Sequence, residues 1–236
     1  MLRLGASIRG TGYNISAWRH PHVDPAAGEK IDHYIALAKI AEQACFDMVF
    51  FADALGIRAT NDPEGAADRF DGDSELDSAV ILPALAVMTK HIGLVSTAST
   101  SFHEPYHLAR RLASLDHVSA GRAGWNAVTS IAEREAQNFN RERHLSKRER
   151  YERANEFLEV VVGLWNCWER DALVRDKASG RFSDRSKVHE LNYKGRFFQV
   201  RGPLTSSRCP QGRPLIVQAG ASDDGLDLAG RFADVV

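Results

Sequence analysis

The chain predicts an α/β fold whose strands lie parallel in one sheet, and two observations carry that expectation. The first is Ile92 to Ser130, where an apolar run (Ile92, Leu94, Val95) is followed by a helical pattern and then by a second run, Ala123 to Val128. Strand, helix and strand within forty residues make a βαβ unit, which joins parallel neighbours. The second is the hydroxyl residues that end each run: Ser96, Thr97, Ser99 and Thr100 after the first, Thr129 and Ser130 after the second. Polar residues at the carboxyl ends of strands are where α/β folds place their ligands.

In chain order, Leu2 to Ile8 alternates and predicts a first strand. Its loop, Arg9 to Gly28, carries Trp18, Arg19, His20 and His22. Two histidines so close could suggest a metal, but no third ligand lies nearby in sequence; an active-site wall and an indifferent surface are the two readings left open. A helix is expected over Glu29–Cys45 with Ile31, Ile35, Ala38 and Cys45 on its inner face. Phe46 to Ala52 is mostly apolar, as a strand buried on both faces should be. Asp53 then stands where that strand emerges, either as a cap for the next loop or as a site group. The loop Gly56 to Asp77 is rich in acid (Asp62, Glu64, Asp68, Asp71, Asp73, Glu75). Its spacing does not match a calcium loop, so an acidic lid is expected.

A second helix is predicted over Ser78–Lys90. Within the βαβ unit, Pro105 opens the helix, where its missing N–H costs nothing. Leu108, Leu112 and Leu115 give that helix one apolar face. Thr97 and Ser99 are placed to bond a ring system or simply to cap the strand end; Asn126 and Thr129 stand in the same relation to the next strand. Trp125 is assigned to the barrel interior. Residues 131–153 are strongly charged and predict a solvated helix start, whose N-terminus would favour an anion. Phe157, Val161, Leu164 and Trp168 continue that helix. Glu169 to Gly212 is far longer than the roughly 2–6 residues usual between helix and strand, so it is an insertion. Within it, Leu191 to Val200 predicts a hairpin turning at Lys194 and Gly195. Pro214 to Gln218 is the fifth barrel strand, with a small-residue exit loop through Ala221 and Ser222. A short helix from Asp223 and the beginning of a sixth strand at Ala233 end the chain.

Composition is that of an ordinary soluble globular chain: 236 residues, 44% hydrophobic, 26% charged, with a formal net charge of -1. That balance gives no reason to expect nucleic acid, and no apolar run approaches membrane-spanning length. Cys45, Cys167 and Cys209 form no metal-binding spacing; Cys45 and Cys167 are expected as inert buried thiols, which suits a reducing cytoplasm.

The string GRAGWNAVTS at 121–130, preceded by SLDHVSAGR, resembles the signature of bacterial-luciferase-like flavin monooxygenases, in their nitrilotriacetate and dibenzothiophene-sulfone monooxygenase branch. FDMVFFADALGI at 46–57, RYERANEFLEVVVGLW at 150–165 and PLIVQAGASDDGLDLAGRFADVV at 214–236 are similar to the same branch. The resemblance implies a TIM-barrel, (β/α)8-type fold, here with its first six strands and an insertion at 169–212 of the kind the family carries. One domain over 1–236 is expected. The implied activity is oxygen insertion from O2 into a small organic substrate, an aminopolycarboxylate or organosulfur compound. Reduced FMN would come from a separate flavin reductase. The site residues implied are Asp53, Thr97, Asn126, Lys147, Tyr151, Ala221 and Ser222, all toward the cofactor. Lys147 stands where relatives usually have histidine. Trp18, His20 and His103 are assigned to the substrate pocket. No catalytic side chain and no metal is implied; a cytoplasmic homo-oligomer is expected. A deazaflavin-dependent oxidoreductase of the same fold, and a non-catalytic fragment or subunit, remain the rivals.

Overall fold

The computed structural model describes residues 2–57, 64–65, 67–69 and 74–236. In chain order its elements are β1 (Gly5–Ile8), α1 (Ile31–Gln43), β2 (Met48–Phe51), α2 (Ser78–Met88), β3 (Gly93–Ser99), α3 (Pro105–Val118), β4 (Ala123–Val128), α4 (Glu133–Gln137), α5 (Lys147–Trp165), β5 (Tyr193–Lys194), β6 (Gln199–Val200), β7 (Leu215–Val217) and α6 (Asp223–Phe232). Contacts divide the chain into two compact units. One is Met1–Ala98 with Ser130–His144, the other Ser99–Thr129 with Leu145–Val236.

In the first unit β1, β2 and β3 pair in parallel, with Ala6 opposite Val49 and Val49 opposite Leu94. Helices α1 and α2 pack together beside them. The buried face of α1 is Tyr34, Ala38 and Ala41 rather than the expected Ile31, Ile35 and Cys45. Small alanines let the helix lie close to its neighbours, and the Tyr34 hydroxyl finds a buried acceptor, the Gly28 carbonyl, at 2.7 Å. Cys45 is exposed and lies just beyond the helix at φ 58, so the expectation of a buried thiol there fails. β2 buries Val49 and Phe51 fully but Met48 and Phe50 only in part. Of the acidic loop, Asp62, Asp71 and Asp73 lie outside the described residues. Two of its described acids have local partners: Glu75 pairs with Arg9 at 2.8 Å, and Asp77 caps α2 by accepting from the Ala79 amide at 2.7 Å.

In the second unit β4 and β7 pair in parallel, Asn126 opposite Val217. A parallel bridge between Val217 and Val235 marks the beginning of the expected sixth strand. Helix α3 presents Leu108, Leu112 and Leu115 inward as the pattern predicts. Helix α5 packs on it, and the fully buried Trp165 indole donates to the Ala109 carbonyl at 3.0 Å. α5 ends at Trp165, so Trp168 lies beyond it, donating to the Leu204 carbonyl at 2.8 Å. Cys167 and Cys209 are buried. The charged stretch 131–153 is split: short α4 belongs to the first unit, and α5 starts only at Lys147, capped by Ser146 and Glu149.

The insertion carries a hairpin, β5 with β6, whose closing bond runs from the Gly195 amide to the Phe198 carbonyl at 2.9 Å, so that it turns at Arg196 and Phe197, two residues later than expected. It is moored on α5. Glu156 accepts the amides of Arg196 and Phe197 at 3.0 and 2.9 Å. Phe198 meets Phe157 edge-on at 5.6 Å, and the Arg153 guanidinium lies 4.3 Å from the Phe198 ring centre. Farther along, Gln211 is bonded to Asp116, a completely buried carboxylate that also accepts the Ala123 amide at 3.2 Å.

Candidate functional site

The two units are built differently around their strand ends. In the first, Asp53 lies two residues beyond β2. Ser78, the first residue of α2, donates its hydroxyl to Asp53 Oδ2 at 3.3 Å and shares a hydrogen bond with the Ser96 hydroxyl at 2.8 Å. Ser78 and Ser96 are each only 2% exposed. Burial raises the Asp53 carboxyl to a pKa of about 6, and the nearby Asp77 charge pushes the same way. The amides of Ser78 and Ala54 oppose that shift. Strand β3 continues through the serines and threonines where a break was expected. Thr97 therefore sits inside a strand, and its hydroxyl donates to the Phe51 carbonyl at 2.7 Å. The simpler of the two roles open to Thr97, a hydroxyl satisfied by neighbouring backbone, thus has a specific bond behind it. A short polar segment closes this region: the buried Glu135 carboxylate accepts the Leu55 amide at 3.1 Å, and Asn138 donates to the Leu55 carbonyl at 2.8 Å.

Two of the expected substrate residues also lie in the first unit. The Trp18 indole donates to the Arg69 carbonyl at 3.1 Å. His20 and His22 have ring centres 5.5 Å apart, and among the described residues no group of three or more His, Cys, Asp or Glu could hold a metal.

In the second unit Trp125 is fully buried with its ring 5.8 Å from Phe157 of α5. That places it on the helix side of the sheet and corrects its assignment to the barrel interior. Successive strand residues face opposite sides, so Asn126, itself 5% exposed, occupies the other face. Lys147, Tyr151, Gly220, Ala221 and Ser222 come together where α5 and α6 begin. Lys147 Nζ lies 3.1 Å from Asp224 in the first turn of α6. Gly220 shows how tight the loop is: a Cβ there would lie 2.6 Å from Gln218 Nε2, 3.1 Å from the Tyr151 hydroxyl and 3.2 Å from Gly225 Cα. Ser222 caps α6, its Oγ accepting the Gly225 amide at 3.3 Å. His103 is held by the Ser99 carbonyl, 3.0 Å from its Nδ1.

This corner suits an anion: a close-approaching backbone, a helix N-terminus and a hydroxyl that still has its proton to donate. Asp223 and Asp224 in the same turn oppose it, and Asp224 occupies Lys147. Arg150 is a cation that the sequence pattern does not single out. It adjoins Tyr151, and its buried Nε has no hydrogen-bond partner among the described residues. Nothing in the one-dimensional pattern separates it from the other arginines of 141–153. Ser78 escapes notice for the same reason, since its partner Asp53 is 25 positions away.

Comparison with known proteins gives this geometry a context. Residues 13–236 match the family model described as luciferase-like monooxygenase. N-acetyl-S-(2-succino)cysteine monooxygenase of Bacillus subtilis is 49% identical over 100% of this chain and 52% of its own length. Component A of nitrilotriacetate monooxygenase from Aminobacter aminovorans is 42% identical over 100% of this chain and 53% of its own. A crystal structure of riboflavin lyase with modified FMN and riboflavin superposes with a TM-score of 0.88 at 38% identity, covering 99% of this chain and 54% of that one. The chain thus spans about half the length of the curated relatives it matches.

Proposed function

Because this chain belongs to the luciferase-like monooxygenase family, with the (β/α)8-type fold of its relatives, we propose that it forms the flavin-binding part of a reduced-FMN-dependent monooxygenase. The reaction is insertion of one oxygen atom from O2 into a small organic molecule, an aminopolycarboxylate or an organosulfur compound. A separate flavin reductase supplies the reduced cofactor, and the enzyme works as a cytoplasmic homo-oligomer. No helix among the described residues is long and apolar enough to cross a membrane. Bound reduced FMN supplies the oxygen-activating chemistry; the protein binds, orients and keeps water away.

The observation that carries the reading is the Gly220–Ser222 loop at the start of α6. Its backbone approaches its neighbours closely: a Cβ at Gly220 would lie 2.6 Å from the Gln218 side-chain amide and 3.1 and 3.2 Å from the Tyr151 hydroxyl and Gly225 Cα. Such a backbone can cradle the phosphate, with Ser222 and Tyr151 donating hydroxyls and Lys147 or Arg150 adding charge. In the first unit Asp53 and Thr97, and in the second Asn126 and Ala221, are proposed to face the flavin; Trp18, His20 and His103 are proposed for the substrate.

The test is a titration of the chain with FMN followed by a substrate panel containing flavin reductase, scored by oxidised product. Saturable FMN binding that Ser222→Ala weakens supports the phosphate assignment. Binding of a deazaflavin and not of FMN, read from its absorption spectrum, would overturn it.

A further inference from the structure

The Asp53 corner contains more than one carboxyl. Ser78 lies between two oxygens, Asp53 Oδ2 at 3.3 Å and Ser96 Oγ at 2.8 Å, and Ser96 Oγ in turn is 3.5 Å from the Thr97 carbonyl. A hydroxyl has one proton to give, so the chain has two self-consistent directions. With Asp53 ionised, Ser96 donates to Ser78 and Ser78 donates to the carboxylate. With Asp53 neutral, its own O–H donates to Ser78, Ser78 to Ser96, and Ser96 to the Thr97 carbonyl. The two states differ by the one proton on Asp53. Burial leaves the two hydroxyls little access to water, so the alternatives are set within the protein.

We propose that Ser78 is a positioning residue for Asp53: its hydroxyl, pinned by Ser96, turns the carboxyl and sets whether it offers a proton or accepts one at the end of β2. Among the described residues, the charged neighbour that faces Asp53 is Asp77, the residue just before α2. β3 presents only the neutral Ser96 hydroxyl, and the amides of Ala54 and Ser78 are neutral donors. Both carboxylates thus share the amino end of one helix, whose dipole favours the charged form of each. The carboxyl is poised to titrate near pH 6, in the range where a ligand can trade a proton with it. The inference rests on the flavin reading only for the identity of the ligand that Asp53 meets.

The experiment is a carboxyl NMR titration of the full chain labelled with 13C-carboxyl aspartate, between pH 4 and 8 and without flavin, with Asp53→Asn assigning the signal. Ser78→Ala removes a donor to the carboxylate, so the proton affinity of Asp53 should rise about three- to tenfold. Ser78→Thr keeps the hydroxyl and should return it to within about twofold of the parent. Should Ser78→Ala not fold, Ser96→Ala unpins the hydroxyl while leaving it in place and should move the midpoint in the same direction by less. A midpoint unmoved in these variants would overturn the proposal. FMN affinity measured at pH 5 and 7.5 separates the two ideas. A pH dependence that tracks the Asp53 midpoint supports both. A shifted midpoint with pH-independent FMN affinity supports the role of Ser78 and removes Asp53 from the flavin site.

Discussion

The Asp53 corner of the first unit and the Gly220–Ser222 corner of the second solve opposite problems. Around Asp53, partial burial and the Asp77 charge raise the proton affinity of one carboxyl, while neutral hydroxyl and amide donors oppose them. Around Gly220, the ionic groups sit near the surface, with Lys147 and Asp224 about half exposed, and the defining feature is steric. The first should therefore answer to pH and the second to side-chain volume. That contrast can be broken by experiment.

The largest effect is expected at Gly220. Gly220→Ala would bring a methyl to 2.6 Å from the Gln218 side-chain amide and tightly against the Tyr151 hydroxyl and Gly225 Cα; overpacking of this kind costs about 1–3 kcal/mol. A thermal melt of the variant should fall accordingly, and FMN affinity with it. An unchanged melting temperature would show that the loop yields freely and that volume is not what defines the corner.

Asp53→Asn comes next. Because its folded pKa of about 6 lies above the ordinary 3.8, the native state holds the Asp53 proton more tightly than the unfolded chain does. Its contribution is fully present below about pH 4 and is lost as pH rises through about 6. Asn cannot ionise, so the variant should match the parent at pH 4 and exceed it at pH 7.5 by about 1–2 kcal/mol, after allowance for solvent screening. Denaturant melts at the two pH values check this; parallel stability curves would refute a perturbed Asp53.

Ser222→Ala removes the cap of α6, worth about 1 kcal/mol of stability, and should weaken FMN by a further 0.5–1.5 kcal/mol, roughly one hydrogen bond. The smallest change is expected from Lys147→His. The Lys147–Asp224 pair is exposed enough to contribute about 0–1 kcal/mol, so stability should barely move and FMN binding should stay or tighten. A clear loss of FMN affinity, measured by fluorescence titration, would give Lys147 a role of its own.

Much of the scaffold is legible because burial writes itself into composition. The Leu108, Leu112 and Leu115 stripe and the strand at Ala123–Val128 need only periodicity. The inner face of α1 is easily misread because alanine and a hydrogen-bonded tyrosine pack more tightly than the isoleucines that catch the eye. β3 reads short because serine and threonine look like a strand end, although neighbouring backbone and hydroxyls can satisfy them within the sheet. Trp168 continues the helical spacing of α5, yet its indole is satisfied by a carbonyl 36 positions later. At the candidate site, residues just beyond strands can be named from order alone. Ser78 and Arg150 cannot, because what marks them, a carboxyl partner 25 positions away and a buried guanidinium Nε with no hydrogen-bond partner among the described residues, is supplied only by folding.

The mooring of the insertion has a consequence for how this lineage can change. Trp168, Glu156 and Gln211 tie down its beginning, hairpin and end. Between the first two ties, residues 172–184 fold back on themselves through Arg175 to Phe182 and Asp176 to Arg181, and their tip at Gly180 has open space around it. Lengthening such a tip costs little, since closure entropy grows only with the logarithm of length. New segments can therefore accumulate at 177–180, by evolution or by an engineer's ligation, while the hairpin on α5 keeps its register.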